Sequence, residues 1–282
     1  MRDMKNITLR WLGVAGIEIG CTSRRIVIDP YFTRIPFLKL WFGKVKPDAA
    51  QVRKWLPRCD TVLVSHAHVD HLLDVPEVVR QTGADAFGSP NTCKLLKICE
   101  TPEEKIHEIS LGADFSSGSF KIHSFAQRSH VSVGGYGMQP LQDDLKPPLS
   151  ARDYNMDFGM CYLVEVNGLR LLSEACQDPH EAGKVDVFFT IPFWGRPDGV
   201  HRHYQSILDA CQPRVVIPIH CDDMWLPLDR PARGQLIPTG RILPPLTRMD
   251  RGRFKNLIEA IHPATRVFLP ERMKTYVLAE IL

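Results

Sequence analysis

Four metal-ligand side chains stand within six residues, directly after a β-branched apolar run: Thr61-Val62-Leu63-Val64-Ser65-His66-Ala67-His68-Val69-Asp70-His71. The run reads as a buried strand. On an extended chain residues i and i+2 point the same way, so His66 and His68 can grip one ion. Where the chain turns toward a helix, Asp70 and His71 point elsewhere and can serve a second. Neutral imidazole and carboxylate suit zinc, and also manganese or iron. A lone histidine would read as an ordinary loop residue, whereas His-x-His-x-Asp-His at a strand end reads as a metal site.

A chain of 282 residues can bury a core without covalent staples. Its eight cysteines form no Cys-x-x-Cys pair and are expected to be reduced thiols, mostly core filler, in a cytoplasmic protein. A net charge of +3 gives no argument for a nucleic-acid partner. The longest apolar runs are far short of the ~18 residues of a membrane span, and Met1 to Lys5 leads into a strand-like segment without a signal-peptide core. One domain over 1–282 is expected.

Ile7 to Ile19 and Arg25 to Tyr31 read as two strands around the turn Cys21-Thr22-Ser23. Asp74 with Pro76 opens a helix that Gly83 stops, and Ser89-Pro90 opens another. Phe120 to Phe125 alternates as a strand. Met160 to Val166 and Leu169 to Leu172 flank the hairpin signal Asn167-Gly168. Val185 to Ile191 and Arg214 to Ile219 are further strands. Tyr204, Ile207, Leu208 and Cys211 follow helical spacing, as do Phe254, Leu257, Ile258 and Ile261. Strands come first, strand and helix then alternate, and a similar order returns after about residue 155; helices covering both faces of sheets fit this order.

The His-x-His-x-Asp-His segment resembles the signature of the metallo-β-lactamase fold superfamily, with Val27-Ile28-Asp29-Pro30 in the place of the preceding strand and Ile217-Pro218-Ile219-His220 in the place of the last histidine ligand. Within it the chain looks most like the group of ascorbate-6-phosphate lactonase and N-acyl-phosphatidylethanolamine phospholipase D. The resemblance implies an α/β fold, an αββα sandwich of two pseudo-symmetric halves with the site at one edge. It implies a metal-dependent hydrolase, with zinc ions (two expected, manganese or iron the alternatives) and a metal-bound hydroxide that cleaves an ester, lactone or phosphodiester of a small molecule. His66, His68 and a third histidine would hold one ion; Asp70, His71 and His220 the other, with Asp70 and His220 also in catalytic roles. His130 in Arg128-Ser129-His130 is favoured as the third histidine over Arg128 in that position, and over His123, which reads as a paired strand residue. The family's bridging Asp has no direct counterpart in Ser173-Glu174-Ala175-Cys176-Gln177-Asp178; Asp178 ranks first for that role, then Glu174, then Cys176. The alternative is a degenerate metal-binding protein of the same fold without hydrolytic activity.

Asp29 is expected either to orient a ligand histidine or to serve only as a turn residue before Pro30. His201 and His203 read as a polar loop, and Asp222 and Asp223 as supports or helix caps near His220. Arg34, Arg128 and Arg196 are positioned for an anionic substrate group, although each alone reads better as surface arginine. The apolar, aromatic and basic segment Ile35-Pro36-Phe37-Leu38-Lys39-Leu40-Trp41-Phe42-Gly43-Lys44 reads as packed on the body or in a dimer interface, ahead of a lid or a membrane-facing patch.

Overall fold

The computed structural model describes residues 6–22, 24–127, 141–142, 144–174, 177–192, 197–232, 234, 236–238 and 246–282. The first half forms β1 (Ile7–Gly13), β2 (Gly16–Cys21), β3 (Arg24–Ile28), β4 (Thr61–Leu63), β5 (Asp85–Gly88) and β6 (Ile106–Glu108). Its helices are α1 (Phe37–Phe42), α2 (Ala49–Trp55), α3 (Val69–Leu72), α4 (Val75–Thr82) and α5 (Pro90–Ile98). The second half forms β7 (Asp114–Ser117), β8 (Phe120–Ala126), β9 (Met160–Val166), β10 (Leu169–Ser173), β11 (Val187–Thr190) and β12 (Val215–Pro218), with α6 (Pro179–Ala182) and α7 (Pro197–Cys211). A two-stranded ribbon, β13 (Leu236–Pro238) with β14 (Leu246–Arg248), precedes α8 (Arg251–Ile261), β15 (Arg266–Val267), β16 (Thr275–Val277) and α9 (Leu278–Ile281).

Two seven-stranded sheets run in the orders β16-β1-β2-β3-β4-β5-β6 and β15-β12-β11-β10-β9-β8-β7. Each begins as an antiparallel meander and continues as parallel strands, β3 to β6 in one and β10 to β12 and β15 in the other. The period-two alternation of strand side chains builds three apolar layers from this pair. Ile26 and Ile28 of β3 face β10's Leu169 and Leu171 and β12's Val215 and Ile217 between the sheets. Val27 points the other way, into the layer shared with α2, α4 and α5. Leu172, Phe188 and Val216 face Tyr204, Ile207 and Leu208 of α7 and Phe254 and Ile258 of α8. The order is helix, sheet, sheet, helix.

The helix signals hold. Gly83 closes α4 at φ +72, the left-handed region open to glycine, and the Ser89 side chain accepts from the Thr92 N–H to cap α5. Asn167 and Gly168 both take positive φ in the β9–β10 turn. Two strand readings need correction. Ile7 to Ile19 is not one strand but a hairpin that turns at Val14-Ala15, where Gly13 adopts φ +88 and Val14 φ +46. Strand β3 stops at Ile28, because Asp29 at φ +48 leaves the extended region. His201 and His203, read as a loop, lie within α7. Among the described residues seven cysteines are free thiols, six of them buried.

Candidate metal centre

The parallel strands of both sheets end at one edge, where open α/β architectures form their crevices. His66 follows β4, Glu174 follows β10 and His220 follows β12. Three residues here carry positive φ without being glycine: Asp29 (+48), Glu174 (+65) and His220 (+51). Such backbone persists only where surrounding contacts over-determine it, and it concentrates at functional sites.

The loop wall is built locally. Asp29 Oδ1 accepts from the Ser65 N–H at 2.7 Å, and Oδ2 accepts from Ser65 Oγ at 2.5 Å. The same Oδ2 lies 2.8 Å from His71 Nδ1. Asp29 therefore orients His71, and the turn-only reading falls. Ser65 Oγ also lies 2.9 Å from His66 Nδ1. Beneath the loop, Tyr162 Oη donates to the Val64 carbonyl at 2.7 Å and the Met160 N–H to the Ser65 carbonyl at 2.8 Å. With its Nδ1 held by Asp29, His71 turns Nε2 toward Asp70, 3.7 Å from Oδ2. His66 packs against both neighbours, its ring centroid 4.7 Å from that of His68 and 3.8 Å from that of His71.

The opposite wall is supplied from 150 residues away. His220 Nε2 lies 3.1 Å from Asp70 Oδ2. One ligand atom from each of Asp70, His71 and His220 falls within 4.8 Å of the others. Two atoms bound tetrahedrally to one ion at about 2.1 Å sit about 3.4 Å apart, so these separations suit a shared cation. The His220 loop is clasped to the β1–β2 turn. Its N–H donates to the Val14 carbonyl at 2.6 Å, and Val14's N–H donates back to Asp222 Oδ1 at 2.7 Å. Asp222 Oδ2 is shared by Arg272 at 2.8 Å and Arg34 at 3.2 Å. The Arg34 side chain is 2% exposed, so it is neither surface arginine nor open to a substrate group but a buried partner of Asp222. Asp223 accepts from the Trp225 N–H in the following turn.

The electrostatics favour a cation. Burial alone would raise the Asp70 carboxyl, but His71 and His220 hold it well below the usual range. Burial alone would lower His71, but Asp29 and Asp70 raise it to about 9. Burial pushes Glu174 up to about 7 against the pull of His71 and His220. Several imidazoles thus share a buried space with three carboxylates, a donor set that fits divalent metal ions.

The two described carboxylates along 173–178 lie in different surroundings. Asp178 is exposed; its side chain caps α6 by accepting from the His180 N–H at 2.9 Å. The buried carboxylate that acts on His71 and His220 is Glu174, which also accepts from Gln127 Nε2 at 3.2 Å. Its left-handed backbone turns the chain just past β10, a change of direction that counting along the strand misses. His130, Arg128, Cys176 and Arg196 lie outside the described residues. His123 is paired across strands with Asp114 at 2.7 Å, and His201 and His203 lie outside the Asp70–His71–His220 group. Ser65 and Val14 were not singled out by the sequence. Ser65 had a signal in its adjacency to His66; Val14, which acts through its peptide group, had none.

Residues 24–144 match the beta-lactamase superfamily domain, and the two-sheet architecture with its edge site is the metallo-β-lactamase fold. Along most of its length the chain is similar to a UPF0173 metal-dependent hydrolase of Carboxydothermus hydrogenoformans, 23% identical over 269 residues, covering 94% of this chain and 98% of that one. Among solved structures it resembles Igni18, a metallo hydrolase of Ignicoccus hospitalis, at TM-score 0.60 and 17% identity, covering 96% and 97% of the two chains. It also resembles the metallo-beta-lactamase fold protein YhfI of Bacillus subtilis, at TM-score 0.57 and 11% identity, covering 96% and 98%.

Proposed function

We propose that the chain is a metal-dependent hydrolase acting on an ester, lactone or phosphodiester of a small molecule. The observation that carries this reading is the convergence of Asp70, His71 and His220 from opposite sheets. His66, His68 and His130 would hold one ion and Asp70, His71 and His220 the other, with zinc favoured and manganese or iron as alternatives. Glu174, buried beside His71 and His220, would support the ions in place of the exposed Asp178. Divalent ions held there supply a water of lowered pKa and polarise the substrate oxygen.

The chain's own residues do the rest. Asp29 fixes the tautomer and aim of His71 by accepting its Nδ1–H. Asp70 is an ionised acceptor facing both imidazoles, able to orient a water through a hydrogen bond. Glu174 would be a further buried acceptor beside the same histidines. The degenerate alternative follows from a missing carboxylate between the ions; a buried Glu174 beside His71 and His220 supports the hydrolytic reading instead. The test joins elemental analysis of the purified protein with a screen of lactones, esters and phosphodiesters. One to two ions per chain and metal-dependent turnover of one class are expected. Absence of bound metal after reconstitution would overturn the proposal.

A further inference from the structure

Three of the four large hydrophobic side chains strongly exposed among the described residues belong to one six-residue helix. In α1 only Leu40 is buried; Phe37 is 54% exposed, Leu38 72% and Phe42 86%. The expectation that this segment packs on the body therefore holds for one side chain of the helix. The apolar surface continues onto the loop after His220, where the Trp225 ring meets Phe37 edge-on at 5.5 Å. Trp41, half-buried, lies 6.2 Å from Phe37 and beneath the Arg152 guanidinium.

Within the segment itself the charge has one sign. Between Asp29 and Asp48 there is no acidic residue, and Lys39, Lys44 and Lys46 are all exposed. The remaining cation of this stretch, Arg34, is buried against Asp222. A two-fold contact between copies through this face would set these lysines against each other with no carboxylate in the segment to offset them. Exposed aromatic and leucine side chains ringed by lysines instead complement a surface whose interior is apolar and whose rim is anionic. The segment is also firmly based: Asp74 accepts from the Phe32 and Thr33 N–H groups, so the helix projects from a fixed stem.

We infer that α1 and the adjoining Trp225 form a docking surface for an anionic lipid bilayer, with Phe37, Leu38 and Phe42 entering the headgroup–acyl boundary and Lys39, Lys44 and Lys46 meeting lipid phosphates. No described helix is long and apolar enough to cross a membrane, so this contact is with the membrane face.

The test is flotation of the full chain with vesicles of phosphatidylcholine alone, or with about a third phosphatidylglycerol. Wild type is expected to float with the anionic vesicles and to be released by salt. L38S/F42S should stay unbound, and K39Q/K44Q/K46Q should bind on the order of 100-fold more weakly. All five side chains are exposed, so unchanged thermal unfolding is expected to accompany both variants. No flotation of wild type, equal flotation with both vesicle types, or retention in L38S/F42S overturns the inference. Concentration-dependent dimerisation abolished by L38S/F42S, without vesicle binding, overturns it in favour of a second copy of the chain.

Discussion

The two walls of the metal centre are held by different means. On the loop wall, one carboxylate, Asp29, fixes Ser65 and His71 through contacts confined to the end of β3 and the loop after β4. Those strands are parallel neighbours, so their ends are brought together by sheet register alone. On the His220 wall, His220 sits on left-handed backbone and its loop is tied through Asp222 to Val14, Arg34 and Arg272, drawn from the β1–β2 turn and two distant loops. A ligand that follows from register can be read from a contiguous motif. A ligand that depends on a clasp draws its support from residues scattered along the chain.

The largest effect should come from the residue the two walls share. Asp70 faces His71 on one side and His220 on the other. Asp70→Ala should lower turnover by roughly three orders of magnitude, since it removes a ligand and a hydrogen-bond acceptor together. Metal content by elemental analysis should fall by one ion per chain, and the metal-free protein should lose stability at neutral pH, because His71 and His220 hold the Asp70 carboxyl below its usual range. Full metal content in this variant would break the assignment of both walls.

Asp222→Ala tests the clasped wall alone. It leaves Arg34 and Arg272 buried without their shared carboxylate, a situation that costs about 3–5 kcal/mol. Urea unfolding should show that loss, together with weaker metal binding. Asp29→Asn tests the loop wall. It should weaken metal affinity by roughly 10- to 100-fold, the usual effect of removing a carboxylate behind a ligand histidine. Its stability loss should be smaller, about 1–3 kcal/mol, because a carboxylate facing Ser65 and His71 is replaced by an amide. If the order of the two stability losses were reversed, the contrast between the walls would fail.

This contrast also explains what the sequence revealed. His66, His68, Asp70 and His71 stood out as candidates because a strand end and a helix start put four ligand types in one segment, and the structure brings Asp70 and His71 together with His220. His220 stood out from family resemblance and its place at a strand end, while for Asp29 the sequence left a histidine-orienting role and a turn before Pro30 both open. The strands were legible where both faces are buried, and the helices where glycine and serine mark their ends. Three features were not. Strand β1 runs into β2 through apolar residues, so periodicity conceals the turn at Val14. Glu174 is brought inward by a left-handed backbone that no pattern of side chains announces. Arg34 looks like a surface residue until Asp222, 188 positions later, is folded against it.

The smallest expected effect concerns a carboxylate just outside the centre. Asp74 follows the metal loop and ties down residues 32 and 33 by accepting their N–H groups and the Thr33 hydroxyl. Burial pushes its carboxyl up to about 6 from an ordinary 3.8, with those hydrogen bonds pulling the other way. A carboxyl with a raised folded-state value binds its proton more tightly when folded than when unfolded. Between the two values the native state therefore holds more protons, and stability falls as pH rises. The contribution is complete below the ordinary value and is lost as pH climbs through about 6. Between about pH 5 and pH 7 the loss amounts to about 1 kcal/mol. In Asp74→Asn this slope should vanish, while the metal ligands titrate alike in both proteins and cancel in the comparison. Denaturant unfolding of the metal-free wild type and variant at the two pH values gives the double difference. A wild type that gains stability relative to Asp74→Asn as pH rises would mean that the hydrogen bonds to the ionised carboxylate outweigh its burial, and that residues 32 and 33, at the base of α1, are held most firmly at neutral pH.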